Sequence, residues 1–156
     1  GTRYSANAYA FDDRYQNCNQ WVAELMAVAW GGLDGAAPDA AAAAAGRDAL
    51  RPAAQRWLRA QGFEPVAFDT GARVVAEAVA LLPWLHADDH PAEDRADGRF
   101  RVAMPSSVEA LVLATVPGVQ RLEFCHAGPR VVVRRGWRPI DEGCVAREGD
   151  TEIALD

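Results

Sequence analysis

A chain of 156 residues, half of them hydrophobic, has the size and apolar content of one α+β domain, 1–156, with a real core. Its net charge of −6 and pI near 5.0 set nucleic acid aside as a partner, because phosphate recognition needs clustered basic side chains that the acid excess opposes. No apolar run reaches bilayer-crossing length, so no transmembrane segment is expected. Gly1-Thr2-Arg3 does not open a signal peptide, and the start at Gly1 instead of Met raises the expectation of an upstream segment in the same precursor.

From Asn19 to Trp30, Val22, Leu25, Met26 and Ala29 recur at helical spacing, and Gly31-Gly32 stops the run. Cys18 precedes Val22 by four residues and Leu25 by seven, which predicts that its thiol faces an interface on the buried side of the first turn. The alanine-rich stretch from Leu33 to Gly46, with Pro38, reads as a mobile connection with room for helix in the alanine run. A second helix is predicted from about Asp48 to Gln61, with Pro52 in its first turn, Gly62 as terminator, and Leu50, Ala54, Trp57 and Leu58 on one face. Phe63 to Phe68 reads as an edge strand, since Pro65 cannot serve a sheet centre. A third helix is predicted over roughly Ala72 to Leu82, ended by Pro83.

The stretch His86 to Gly98 is polar, acidic and aperiodic, and reads as an exposed loop. Its two histidines and carboxylates are metal-ligand types, but their spacing matches no strong motif. No metal and no cofactor is therefore expected. Phe100 to Met104 alternates like a half-buried strand, and Ser106-Ser107-Val108-Glu109 has the form of a capping box for a helix ending near Pro117-Gly118. Val119 to Cys125 and Arg130 to Arg135 flank the turn residues His126-Ala127-Gly128-Pro129 as a β-hairpin. Thr151 to Leu155 adds a last strand. Helices first and strands after indicate an α+β fold, with the N-terminal helices packed on a small antiparallel sheet drawn mainly from the C-terminal part.

The odd count of three cysteines leaves at least one free thiol. Cys125 and Cys144 both sit in the strand-rich part and are the pair expected to bond. Three reduced thiols in a cytoplasmic protein fit the residues as well. Cys18 opens a helix, where unpaired amides and the positive end of the helix dipole favour thiolate over thiol. A cysteine hydrolase also needs a base, an orienting group and oxyanion donors. Gln16, Asn17 and Asn19 have amides suited to the last role. The competing reading is an ordinary core cysteine.

Tyr4-Ser5-Ala6-Asn7-Ala8-Tyr9, followed by Tyr15-Gln16-Asn17-Cys18-Asn19-Gln20-Trp21-Val22, resembles the bacterial family of unknown function DUF2145, as does the later Arg130–Trp137 hairpin region. The asparagine–cysteine step that opens a helix is also similar to the circularly permuted papain-like hydrolases of the NlpC type. That resemblance implies a catalytic cysteine at Cys18, with a histidine on an earlier strand, and peptidoglycan stem peptides as substrate. No histidine precedes Cys18 here. The base is then upstream in a longer precursor, later in this chain, or missing. Beside a predicted strand, His126 is the imidazole best placed for the role. The resulting expectation is a periplasmic or secreted cysteine hydrolase acting on a small peptide or ester. The alternatives are a non-catalytic binding domain that keeps the cysteine helix, and a fragment that needs an absent N-terminal segment.

Overall fold

Asn17 starts the first helix, α1 (Cys18–Gly31): its side-chain Oδ1 accepts from the Gln20 amide at 2.7 Å, which satisfies one of the donors a helix start leaves without a partner. Gly32 ends α1 in the left-handed conformation at φ 58°, and the Leu33 amide closes back onto the Val28 carbonyl. The computed structural model describes residues 3–33, 40–70 and 82–155, of 40–48 the backbone only. The chain divides into two units, Gly1–Thr115 and Val116–Asp156.

In the first unit, α1 packs against α2 (Ala40–Ala60). The second helix begins eight residues earlier than predicted because the alanine run continues it, as the high helix propensity of alanine favours. Pro52 consequently lies inside the helix, not in its first turn, and removes one helical N–H. The seam is built from small residues. Ala23 and Ala27 of α1 meet Ala54 and Leu58 of α2, with Phe63, Ala103 and Leu111 completing the core. This corrects the predicted inner face of α1: Gln20, Ala23, Glu24 and Ala27 are buried, while Trp21 and Leu25 are 54% and 48% exposed.

Short parallel strands β1 (Arg3–Tyr4) and β2 (Tyr15–Gln16) bracket the loop that precedes Cys18. Strand β3 (Val66–Asp69) pairs antiparallel with β4 (Arg99–Val102), Val66 opposite Val102 and Phe68 opposite Phe100. The helix expected over 72–82 lies outside the described residues save Leu82, which is exposed.

The expected solvated loop at 86–98 is instead partly built into the fold. It contains a short helix, α3 (Ala92–Ala96), and buries Asp89, His90 and Asp94. Asp94 is held by Arg101 at 2.9 Å, and the His90 ring meets Phe100 edge-on. Helix α4 (Pro105–Thr115) starts one residue before the expected capping box, with proline at the first helical position, where its missing N–H costs nothing. Met104 consequently holds the cap position, its carbonyl accepting from the Val108 amide at 3.2 Å, and both serines lie inside the helix.

The second unit is a three-stranded antiparallel sheet of β5 (Leu122–Ala127), β6 (Arg130–Arg135) and β7 (Thr151–Ala154), in that order. Ala127 pairs with Arg130, leaving Gly128-Pro129 as a two-residue turn. Gly128 supplies the positive φ of 60° that such a hairpin turn demands. Helices and small antiparallel sheets together make the protein α+β.

Candidate functional site

The Cys18 thiol is free and exposed. The expectation that it faces a packed interface is overturned, because α2 approaches α1 on the Ala23/Ala27 side and turns the Cys18 stripe outward. Tyr4, Gln16, Asn17 and Trp21 join Cys18 around an open pocket of about 300 Å³. Four residues of β1, β2 and the first turn of α1 thus surround the sulfur.

Both ends of the Asn17 side-chain amide are committed to the fold. Its Oδ1 caps α1, and its Nδ2 donates to the Ala103 carbonyl at 3.2 Å. It positions the cysteine. Gln16 donates from Nε2 to Glu24 at 2.6 Å, yet an amide nitrogen carries two hydrogens, so one remains for a ligand. Asn19 is half-buried in the first turn. The backbone amides of Cys18 and Asn19 precede the first helical bond, Trp21 to Asn17, and donate to no partner among the described residues. Two helix-start amides beside the sulfur are thus open to an acceptor, where sequence reasoning looked to side chains for such donors.

His126 lies on β5 of the second unit, exposed and paired across the hairpin with Val131. Cys125 and Cys144 form a disulfide in that unit, with Cα atoms 5.4 Å apart. Two imidazoles belong to the unit that holds Cys18. His86 stacks on the Tyr15 ring with centroids 4.0 Å apart, while Asn7 and Ser5 fix its backbone amide. Burial, followed by the Asp88 carboxylate, pushes the Tyr15 phenol up. His90 is buried, with Nε2 against the Asn7 carbonyl at 2.8 Å.

Glu24 is the polar residue sequence reasoning missed. Only 4% exposed, it accepts from Gln16, from Gln55 at 2.9 Å and from Arg51 at 2.8 Å. Arg51 also donates to the carbonyls of Asp13 and Tyr15, and Gln20 reaches those of Tyr9 and Ala10. One carboxylate therefore organises the loop that ends at Cys18. Its signal was the spacing of Gln16, Gln20 and Glu24 by fours, with Arg51 and Gln55 four apart on the partner helix.

Burial pushes the Asp89 carboxyl up; its bond from the Tyr9 amide at 2.7 Å and the nearby His90 oppose this, and Asp12 adds to it. A proton held to higher pH in the folded state than in the unfolded one stabilises fully below the unfolded value near 4, and this contribution is lost as pH rises through the folded value. Asp89→Asn keeps an acceptor for Tyr9 and cannot ionise. Its stability relative to the parent, read from urea midpoints at pH 4, 5.5 and 7, is expected to improve with rising pH. A difference constant across that range would contradict the assignment.

No curated protein and no solved structure matches this chain. A family model described as an uncharacterized protein conserved in bacteria matches residues 1–112, which includes Cys18 and its pocket but not the Arg130–Trp137 hairpin. With that match covering more than half its length, the chain belongs to the DUF2145 family.

Proposed function

We propose that this chain is a cell-envelope cysteine hydrolase of amidase or peptidase type, with Cys18 attacking a peptide or ester carbonyl. One observation carries the reading: a free, exposed thiol at the first position of a capped helix opens on a pocket large enough for an acyl group. Sγ adds to the carbonyl carbon, the thiol proton is taken up by a base or solvent, and the oxyanion receives the Cys18 and Asn19 amides and the second N–H of Gln16. Collapse expels the amine or alcohol and leaves a thioester. Water then attacks the thioester, giving the carboxylic acid and restoring the thiol. The similarity to NlpC-type hydrolases implies the same place for the nucleophile, and the Cys125–Cys144 bond favours an oxidising compartment.

A second reading, a binding domain that keeps the cysteine helix, is favoured by the lack of an imidazole among the described lining of the Cys18 pocket. p-Nitrophenyl acetate separates the two. The hydrolase is expected to release one p-nitrophenolate per chain in a burst, with an acetyl adduct on Cys18 by mass spectrometry, and Cys18→Ala abolishes both. No burst, together with alkylation by iodoacetamide at pH 6 no faster than a free thiol, establishes the binding domain instead.

A further inference from the structure

We infer that the outer face of α1 binds a medium-length aliphatic acyl chain whose carbonyl sits at Cys18; this rests on the hydrolase reading above. Cys18, Trp21, Leu25 and Val28 are three, seven and ten residues along one helix stripe. A second pocket, of about 260 Å³, lies on this stripe, walled by Trp21, Leu25, Val28, Leu50 and Ala54. Gln16 and Trp21 line both pockets, which places the apolar compartment directly beside the one that holds the sulfur.

Charge and length define the occupant. The floor holds Glu24 and Arg51, which neutralise each other at 2.8 Å, with further donors and acceptors of the fold occupying both groups. A charged ligand gains no counter-ion there, whereas an apolar chain covers Trp21 and Leu25, which water now wets. At 1.5 Å rise per residue, Leu25 stands about 10 Å beyond Cys18, the reach of an extended chain of about eight carbons and more than that of a single amino-acid side chain.

The test is the second-order rate of Cys18 acylation in the full chain by p-nitrophenyl acetate, butyrate, hexanoate and octanoate, each divided by the rate for a small free thiol. Burial of each methylene predicts a gain of about two- to fourfold up to octanoate. Leu25→Glu places a carboxylate on the wall of the groove, at a position whose exposure spares the core, and is expected to reduce the octanoyl-to-acetyl ratio at least tenfold. Octanamide should also bind Cys18→Ala saturably, as titration calorimetry reads. A flat series with intact acetylation overturns the acyl groove and leaves Cys18 a nucleophile. Absent acylation by every ester, with octanamide still bound, overturns the hydrolase reading and retains the groove. An N-acetylleucyl ester faster than the octanoyl ester overturns the chain assignment in favour of a peptide side chain.

Discussion

Glu24→Ala is expected to lower the unfolding free energy of the first unit by about 3–5 kcal/mol, the range for removing one partner of a buried ion pair. The loss comes less from attraction forgone than from what stays behind. Arg51, 18% exposed at its side chain, keeps its charge with its best acceptor gone, the Gln16 amide loses its acceptor, and Gln55 is left with the Asp12 carbonyl alone. An orphaned buried donor costs its full desolvation, whereas an orphan at the surface turns to water. Natural domains are stable by only about 5–15 kcal/mol, so the variant should approach the edge of folding. Replacing both Glu24 and Arg51 by leucine removes donor and acceptor together and should recover at least half of the loss. Urea unfolding measured by circular dichroism checks both. A change under 1 kcal/mol for Glu24→Ala would mean that the pair behaves as an exposed one. Because Gln16 joins this carboxylate to the Cys18 pocket, surviving Glu24→Ala protein should also lose acylation rate.

The elements were legible in the sequence where local chemistry decides them. Asn17 and Gly32 bound α1, Gly128-Pro129 turns the hairpin, and Phe100–Val102 forms a strand, all from signals within a few residues. What sequence periodicity misassigned was the direction of burial. Val22, Leu25 and Met26 give α1 its expected apolar face, but a close helix pair is made by alanines, and Ala23 and Ala27 admit Ala54 as bulkier side chains do not. That approach pulls Gln20 and Glu24 inward, at tolerable cost only because Arg51 and Gln55 meet them. It also frees the opposite stripe, and with it Cys18. The segment around Asp89 and His90 failed for a similar reason. Its polarity indicates solvent, yet Tyr9, Phe100 and the Asn7 carbonyl supply partners from elsewhere in the chain, and no local pattern records those. The cysteine at a helix start was nameable from Asn17-Cys18 alone, whereas its exposure and its apolar groove needed the placement of α2.

Reduction of Cys125–Cys144, or their joint replacement by alanine, is expected to cost the second unit about 3 kcal/mol, the loop-closure contribution for the 19-residue separation they span. The unit has little else to hold it. About 40 residues is near the lower limit for a domain without staples, and among its described apolar side chains only Val132 and Cys144 are buried. Arg134, in a two-pronged pair with Asp150 and bonded to the Pro139 carbonyl, is the other buried anchor. It ties β6 to the start of β7 and to Pro139, and the 136–149 connection is otherwise held by polar contacts such as the Ile140 amide on Glu123 at 2.9 Å. Cys144 adopts φ 55°, a left-handed conformation that costs a non-glycine residue about 1 kcal/mol or more, so the bond also maintains a backbone geometry the free chain would leave. Hydrogen exchange in a Cys18→Ala background, which prevents thiol shuffling, reads the effect: ladder amides between β5 and β6 should exchange about 10²-fold faster once the bond is cut. Protection within threefold of the oxidised protein would show that the Arg134–Asp150 pair and the hairpin suffice, and would remove the strongest structural argument for an oxidising compartment.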